Sequence, residues 1–294
     1  MPVGLSVLDI DTDVINPLNT NNVNINGAKI KGTSTSIHIG NTDMASIPIR
    51  SVIVGVQSAI NLLGDNNVAI GYGCMTASNI ATGNVCVGSG SGSSIMDAYA
   101  NTFIGNSAGN QNTYGVGNTS LGNSAGLSVT TGNQNTFIGD NSGAALPSIT
   151  GSNVTCIGKE SNPTNGTVSN QITLGNSAIT TLRCAVTSIT SLSDARDKKD
   201  IKDLSTGLEF VEGLRPVEFT WNDRDEKGKH DVADFGFIAQ DLKKAQEDAD
   251  KPDVLKLVYD ENPDKLEASY GKLIPILVKA IQELSEEVKQ LKSK

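Results

Sequence analysis

A short phrase alternating apolar and polar residues recurs along the first two thirds of the chain. It reads NVAIG ending at Gly71, NVCVG at Gly88, NTFIG at Gly105, NTSLG at Gly122 and NTFIG at Gly139, with these glycines 17 residues apart. TCIG at Gly158 and ITLG at Gly175 continue it after an insertion, and IHIG at Gly40 and VIVG at Gly55 precede it as degenerate copies, giving nine rungs. One residue before each glycine the side chain is always aliphatic (Ile39, Val54, Ile70, Val87, Ile104, Leu121, Ile138, Ile157, Leu174), and three before it is always β-branched. Positions two apart share one face of a strand, so these two columns are the expected interior. The mixed column between them, from His38 through Phe103 and Phe137 to Thr173, is expected to point outward or toward a neighbouring chain.

The glycine closing each phrase implies a positive φ or a close backbone approach. The asparagines four residues before it (Asn67, Asn84, Asn101, Asn118, Asn135) are expected to stack as a ladder in the preceding turn. A single rung cannot bury its own apolar face, so rungs must stack about 4.8 Å apart, and nine of them make a rod about 40 Å tall. The GNSAG segments at 105–109 and 122–126 offer small residues where chains could approach around an axis.

After Gly175 the pattern changes. LRPVEFTWN (214–222) reads as short strands around the Arg215-Pro216 turn, and Gly236 to Gln240 opens an element leading into a helix at 241–249. Phe219, Trp221, Phe235 and Phe237 are expected in the core of this part. The tail is a helix in which Ile274, Leu277, Ile281, Leu284, Val288 and Leu291 alternate three and four apart, the a/d seam of a coiled coil suited to three strands. The alternative for that stripe is one amphipathic helix docked on its own domain.

Charge marks the same boundary. Of 32 acidic and 23 basic residues, only 8 and 5 precede Ser193, while 25 of the 30 glycines do. The expected division is 1–35 as an attachment or strand segment, 36–176 as the β repeat, 177–192 as a junction and 193–294 as a second domain with its coiled coil at about 269–294. A net charge of −9 without a basic cluster argues against nucleic acid or an anionic membrane as partner. The start MPVGLSVLDIDTDVI lacks the features of a signal peptide and no apolar run would span a bilayer, so synthesis and folding in a cytoplasm are expected, without membrane insertion. Cys74, Cys86, Cys156 and Cys184 show no metal spacing and only His38 and His230 stand beside them, so they read as small buried apolar residues and no metal or cofactor is expected.

Two resemblances follow from these residues. Over residues 36–176 the repeat resembles the head repeats of trimeric adhesins and the collar repeats of viral fibres, with a period of 17 instead of the shorter adhesin repeat. The run Ser193-Asp194-Ala195-Arg196-Asp197-Lys198, with LRPVEFTWN, GFIAQD (236–241) and SYGKLIPILVKAIQELSEEV (269–288) after it, is similar to the S74 intramolecular chaperone domain of phage endosialidases and tail fibres. Together they imply a trimeric parallel β-roll or β-helix, then a small α+β chaperone ending in a trimeric coiled-coil helix. The implied protein is a homotrimeric virion fibre for host attachment, joined to other tail or capsid proteins and open to a host surface glycan. The implied activity is serine-type self-cleavage in cis between Leu192 and Ser193, with Ser193 as nucleophile, Lys198 as base and no external substrate.

A lysine acts as base only when neutral, which burial or nearby positive charge favours. Arg196 and Lys199 would help, whereas Asp194 and Asp197 would oppose. Because Ser193 follows the scissile bond directly, its hydroxyl can reach the Leu192 carbonyl through a five-membered ring, an N-to-O acyl shift completed by ester hydrolysis. The bland alternative is a solvated turn in which Ser193 caps a helix. Two other functions compete with this one. A polysaccharide-degrading tailspike needs paired carboxylates, and Asp43, Asp65, Asp97, Asp140 and Glu160 are scattered, although Tyr72, Tyr99, Phe103, Tyr114 and Phe137 could stack on sugars. A non-cleaving cellular adhesin, or a membrane-tethered transcription factor, would need targeting or DNA-binding segments that these residues do not display.

Overall fold

The computed structural model describes residues 36–39, 51–78, 80–185, 189–222 and 231–294. The expectations for residues 1–35, Asp43 and His230 lie outside these. Nine short strands, β1 (Ser36–Ile39), β2 (Ser51–Val54), β3 (Val68–Ile70), β4 (Val85–Val87), β5 (Thr102–Ile104), β6 (Thr119–Leu121), β7 (Thr136–Ile138), β8 (Thr155–Ile157) and β9 (Ile172–Leu174), pair in parallel in chain order. Register matches the repeat: Thr102 pairs with Thr119, Phe103 with Ser120 and Ile104 with Leu121. Outside the strands the rungs remain joined by backbone hydrogen bonds, such as Gly109 N to Ala125 O at 2.9 Å and Thr113 N to Thr130 O at 2.9 Å. The result is a parallel β-solenoid.

The asparagine ladder forms as the repeat predicts. Each amide oxygen accepts the backbone N–H at the same position of the next rung, at 2.9 Å from Asn84 to Asn67 and 3.0 Å from Asn101 to Asn84, and the ladder ends with Val154 N–H on Asn135 at 2.9 Å. Each amide nitrogen donates to a carbonyl across the rung, as Asn101 does to Gly115 at 2.9 Å. These side chains are buried, yet their polar atoms are paired, which removes the usual penalty for desolvating an amide. The strand-end glycine meets both of its requirements: Gly105 has φ +139° and a Cβ there would collide with the Gly122 carbonyl below it.

The interior face is the reverse of the one expected. The middle column is fully buried (Ile53, Ala69, Cys86, Phe103, Ser120, Phe137, Cys156). The aliphatic column faces out, with Ile70 36 %, Leu121 47 % and Leu174 54 % exposed and Val87 and Ile138 partly covered. The reason is volume. Core residues must complement the return segment across the rung, so their sizes vary; Phe103 and Phe137 fit because glycines stand opposite, a Cβ on Gly109 falling 2.6 Å from the Phe103 ring. The GNSAG segments serve this same inner packing: Ala108 and Ala125 are buried within the chain, not on its surface. Phe103 and Phe137 are therefore unavailable for sugars, while Tyr72, Tyr99 and Tyr114 are exposed.

Among the cysteines, Cys74, Cys86 and Cys156 are buried in the solenoid as expected, and burial raises all three thiols, Cys156 to about 11. Cys184 is instead exposed, because it lies beyond the last rung.

Beyond Leu192 a single 3-10 turn (Ala195–Asp197) precedes α1 (Leu208–Glu212). An antiparallel pair follows, β10 (Val217–Thr220) with β11 (Ala233–Gly236), then α2 (Ala239–Asp248), α3 (Pro252–Leu255), a second pair β12 (Val258–Tyr259) with β13 (Glu267–Ala268), and α4 (Leu273–Lys292). The core joins Leu242, Leu255, Leu257, Val258, Leu273 and Ile276, with Phe210 and Phe237 packed against it. Phe219, Trp221 and Phe235 do not join it. Phe235 alternates to the outer face of its two-stranded ribbon and is 80 % exposed, and Trp221 is 40 % exposed beside Phe219. A two-stranded ribbon covers only one of its faces.

Helix α4 uses two faces. Leu273, Ile276 and Ala280 are buried against the domain. All six seam residues, Ile274, Leu277, Ile281, Leu284, Val288 and Leu291, are exposed by 40–69 %. The helix does dock on its own domain, but not through the predicted seam.

Candidate functional site

Ser193 and Lys198 flank the 3-10 turn, and the turn brings them together. Asp194 caps it, accepting from Arg196 N at 2.8 Å, and the Lys198 N–H closes it on the Ala195 carbonyl at 3.2 Å. Ser193 is thus not the cap, and its hydroxyl is left for Lys198, whose Nζ lies 2.6 Å from Ser193 Oγ and 3.1 Å from the Ser193 carbonyl. A nucleophile and an amine at hydrogen-bond distance satisfy the geometric requirement for a Ser–Lys pair.

The electrostatics around the pair are divided. Arg196 grips the Asp194 carboxylate through Nε and Nη2, the latter at 2.6 Å. Arg196, with its own backbone N–H, holds the Asp194 carboxyl below the usual aspartate range. Two of the four charges expected to act on Lys198, Arg196 and Asp194, are therefore largely spent on each other. Residues 189–200 are exposed throughout, and Leu192 is 98 % exposed. Within one chain, water reaches both the pair and the bond preceding Ser193.

The other sequence blocks converge on one another. Tyr270 Oη accepts from Phe237 N at 3.0 Å and donates to Phe237 O at 3.3 Å, with the two rings edge to face, so SYGK locks onto GFIAQD. Arg215 of LRPVEFTWN pairs with Asp241 of GFIAQD at 2.8 Å. A cleft of about 650 Å³ lies between α1 and α2, lined by Thr206, Phe210, Leu214, Phe237, Leu242 and Lys251 among others, and it contains neither Ser193 nor Lys198. Among the described residues no group of three His, Cys, Asp or Glu side chains could hold a metal ion.

Residues 193–251 match the family model Peptidase S74, chaperone of endosialidase. This part of the chain is an S74 chaperone domain. The match begins at Ser193, the residue that opens the pair, and the S74 core is completed by Leu255, Leu257, Leu273 and Ile276 beyond the matched span. No curated protein and no solved structure matches the chain. An S74 chaperone behind a parallel β-solenoid fits a fibre or spike protein that carries an intramolecular chaperone. No helix among the described residues is long and apolar enough to cross a membrane.

Three side chains at the S74 domain's joints were not singled out from sequence. Lys251 bonds the Ser205 and Thr206 hydroxyls at 2.7 and 3.1 Å, Tyr270 holds Phe237, and Glu283 on α4 accepts from Leu208 N at 2.7 Å. Gly207 was the available signal for Glu283, since a glycine directly before a helix leaves space for an incoming group.

Proposed function

We propose that this chain is a virion fibre or spike protein for host attachment, whose S74 domain drives trimerisation and is then released by self-cleavage between Leu192 and Ser193. The proposed division is an attachment or strand segment at 1–35, the solenoid at 36–176, a junction at 177–192 and the chaperone at 193–294. The observation that carries the cutting step is the 2.6 Å contact between Lys198 Nζ and Ser193 Oγ at the first residues of the S74 match, beside an exposed Leu192. In the proposed reaction Lys198 takes the Ser193 hydroxyl proton as Oγ attacks the Leu192 carbonyl carbon. That proton passes to the Ser193 nitrogen as the peptide bond breaks, and water hydrolyses the resulting ester.

Trimerisation is supported by two apolar rows that one chain leaves largely open to water: the aliphatic column of the solenoid and the seam of α4. Contiguous exposed rows of this length mark association surfaces. Further copies packed around the exposed turn would also exclude water from the pair, which favours a neutral lysine and makes cutting follow assembly. A shift by one whole repeat offers each strand near-equivalent neighbours, so a seed that sets register and then leaves would trap the finished fibre.

Expression of the chain beside Ser193→Ala and Lys198→Ala, with denaturing gels and intact mass, tests the cutting. The wild type should give two fragments divided before Ser193 and both variants should stay whole; an uncut wild type contradicts self-cleavage.

A further inference from the structure

The path from the Ser193–Lys198 turn into the S74 core is held at three places. Asp203 and Leu204 share a groove with Ile274 and Val278 of α4. Ser205 and Thr206 receive the Lys251 ammonium. Leu208 N–H then donates 2.7 Å to Oε2 of Glu283, while Lys279, one turn earlier on α4, holds the other carboxylate oxygen at 3.2 Å. Gly207 makes room for this: a Cβ at that position would collide with the Glu283 carboxylate. The Leu208 N–H first, and Lys279 after it, keep the Glu283 carboxyl below the ordinary glutamate range, so it is charged at neutral pH.

Glu283 directly precedes Leu284 of the exposed seam. It shares the face of α4 that carries Ile276 and Ala280, beside the seam and not within it. A rotation or shift of α4 as seams wind together is therefore passed to the start of α1 and to residues 203–208, which the exposed stretch 199–202 joins to the turn that pairs Ser193 with Lys198.

We propose that Glu283 is a positioning residue that couples α4 to the segment bearing the scissile bond, so that winding of the seam and cutting before Ser193 are linked through one side chain. This rests on the self-cleavage reading. Loss of the contact leaves the pair's sequence intact but frees its approach geometry, and displacement of reacting groups by about 1 Å can cost on the order of a hundredfold in rate.

The test follows the rate of self-cleavage in the full chain for wild type, Glu283→Ala, Glu283→Gln and Gly207→Ala, with sedimentation in parallel. Glu283→Ala and Gly207→Ala should cut on the order of tenfold more slowly or worse while sedimenting like the wild type. Glu283→Gln keeps an oxygen acceptor and should retain most of the rate. Gly207→Ala leaves α4 unaltered, which covers the case in which Glu283→Ala fails to assemble. Hydrogen exchange of segment 194–208 in a Ser193→Ala background supplies a reading independent of cutting, and Glu283→Ala should raise it. Wild-type cutting by an assembled Glu283→Ala chain, or unchanged exchange in that segment, would overturn the proposal. An uncut wild type would overturn self-cleavage alone, and the exchange result would still decide whether Glu283 positions the segment.

Discussion

The solenoid and the S74 domain bury their apolar residues in opposite ways. In the solenoid, rung stacks on rung until Phe103, Phe137, Ile95 and Val129 are wholly hidden, and the buried asparagines pair with one another along the axis. In the S74 domain the core is a small cluster around Leu242, Leu257 and Ile276, while Ile274, Ile281, Leu284 and Phe235 face water. A repeat can supply its own interior by adding rungs, and only its outer row is left for a partner. A small domain with one short core has no such recourse, so its outward apolar residues make sense as surfaces for other copies.

The largest expected effect breaks the S74 side of this contrast. Replacing Ile281 and Leu284 together by Asp puts two charges into the seam and should abolish assembly, read as a monomer by sedimentation, while the fold of each S74 domain survives because neither residue belongs to its core. On the solenoid side, Phe103→Ala empties a ring-sized space beneath Gly92 and Gly109 and should cost about 3–5 kcal/mol of stability in denaturant titration. Assembly through the seam should persist in that variant.

Acid and alkali should separate the two regions. In the S74 domain the depressed carboxyls are Asp194 beside Arg196, Asp260 beside Lys243 and Glu283 beside Leu208. A carboxyl depressed in the fold contributes stability present above its unfolded value, about 4, and lost as pH falls through the lower folded value. In the solenoid the buried thiols are raised, so their contribution is complete below the ordinary thiol value of about 8.5 and is lost as pH rises toward about 11 for Cys156. Trp221, the single tryptophan, lies in the S74 domain, so its fluorescence should change on the acid side while circular dichroism of the solenoid changes first on the alkaline side. The smallest effect sharpens the packing account. Ser120 Oγ is buried without a partner between Phe103 and Phe137, and Ser120→Ala should raise solenoid stability by about 1 kcal/mol in the same titration.

Much of this was legible in the residues. The period, the parallel register, the asparagine ladder, the strand-end glycines and the tail helix follow from spacing alone, because each depends on one residue type recurring at one offset. The strand face is not legible in this way, because a uniform column suggests a core. In this solenoid the uniform column, Ile70 to Leu174, lies outside, and the irregular one, Ala69 to Cys156, is fitted to whatever stands across the rung. Pairing of Ser193 with Lys198 was accessible only through the S74 resemblance, and Ser193 and Asp194 were both available as caps because both residue types cap well, whereas the Glu283–Leu208 contact joins residues 75 positions apart, which no local pattern encodes.

If further copies of this chain cover the exposed aliphatic column and the α4 seam, sedimentation equilibrium of the uncut Ser193→Ala chain should give a single species of three times the 30.7 kDa chain mass. A stable monomer at micromolar concentration, with both rows still open to water, would rule out such covering.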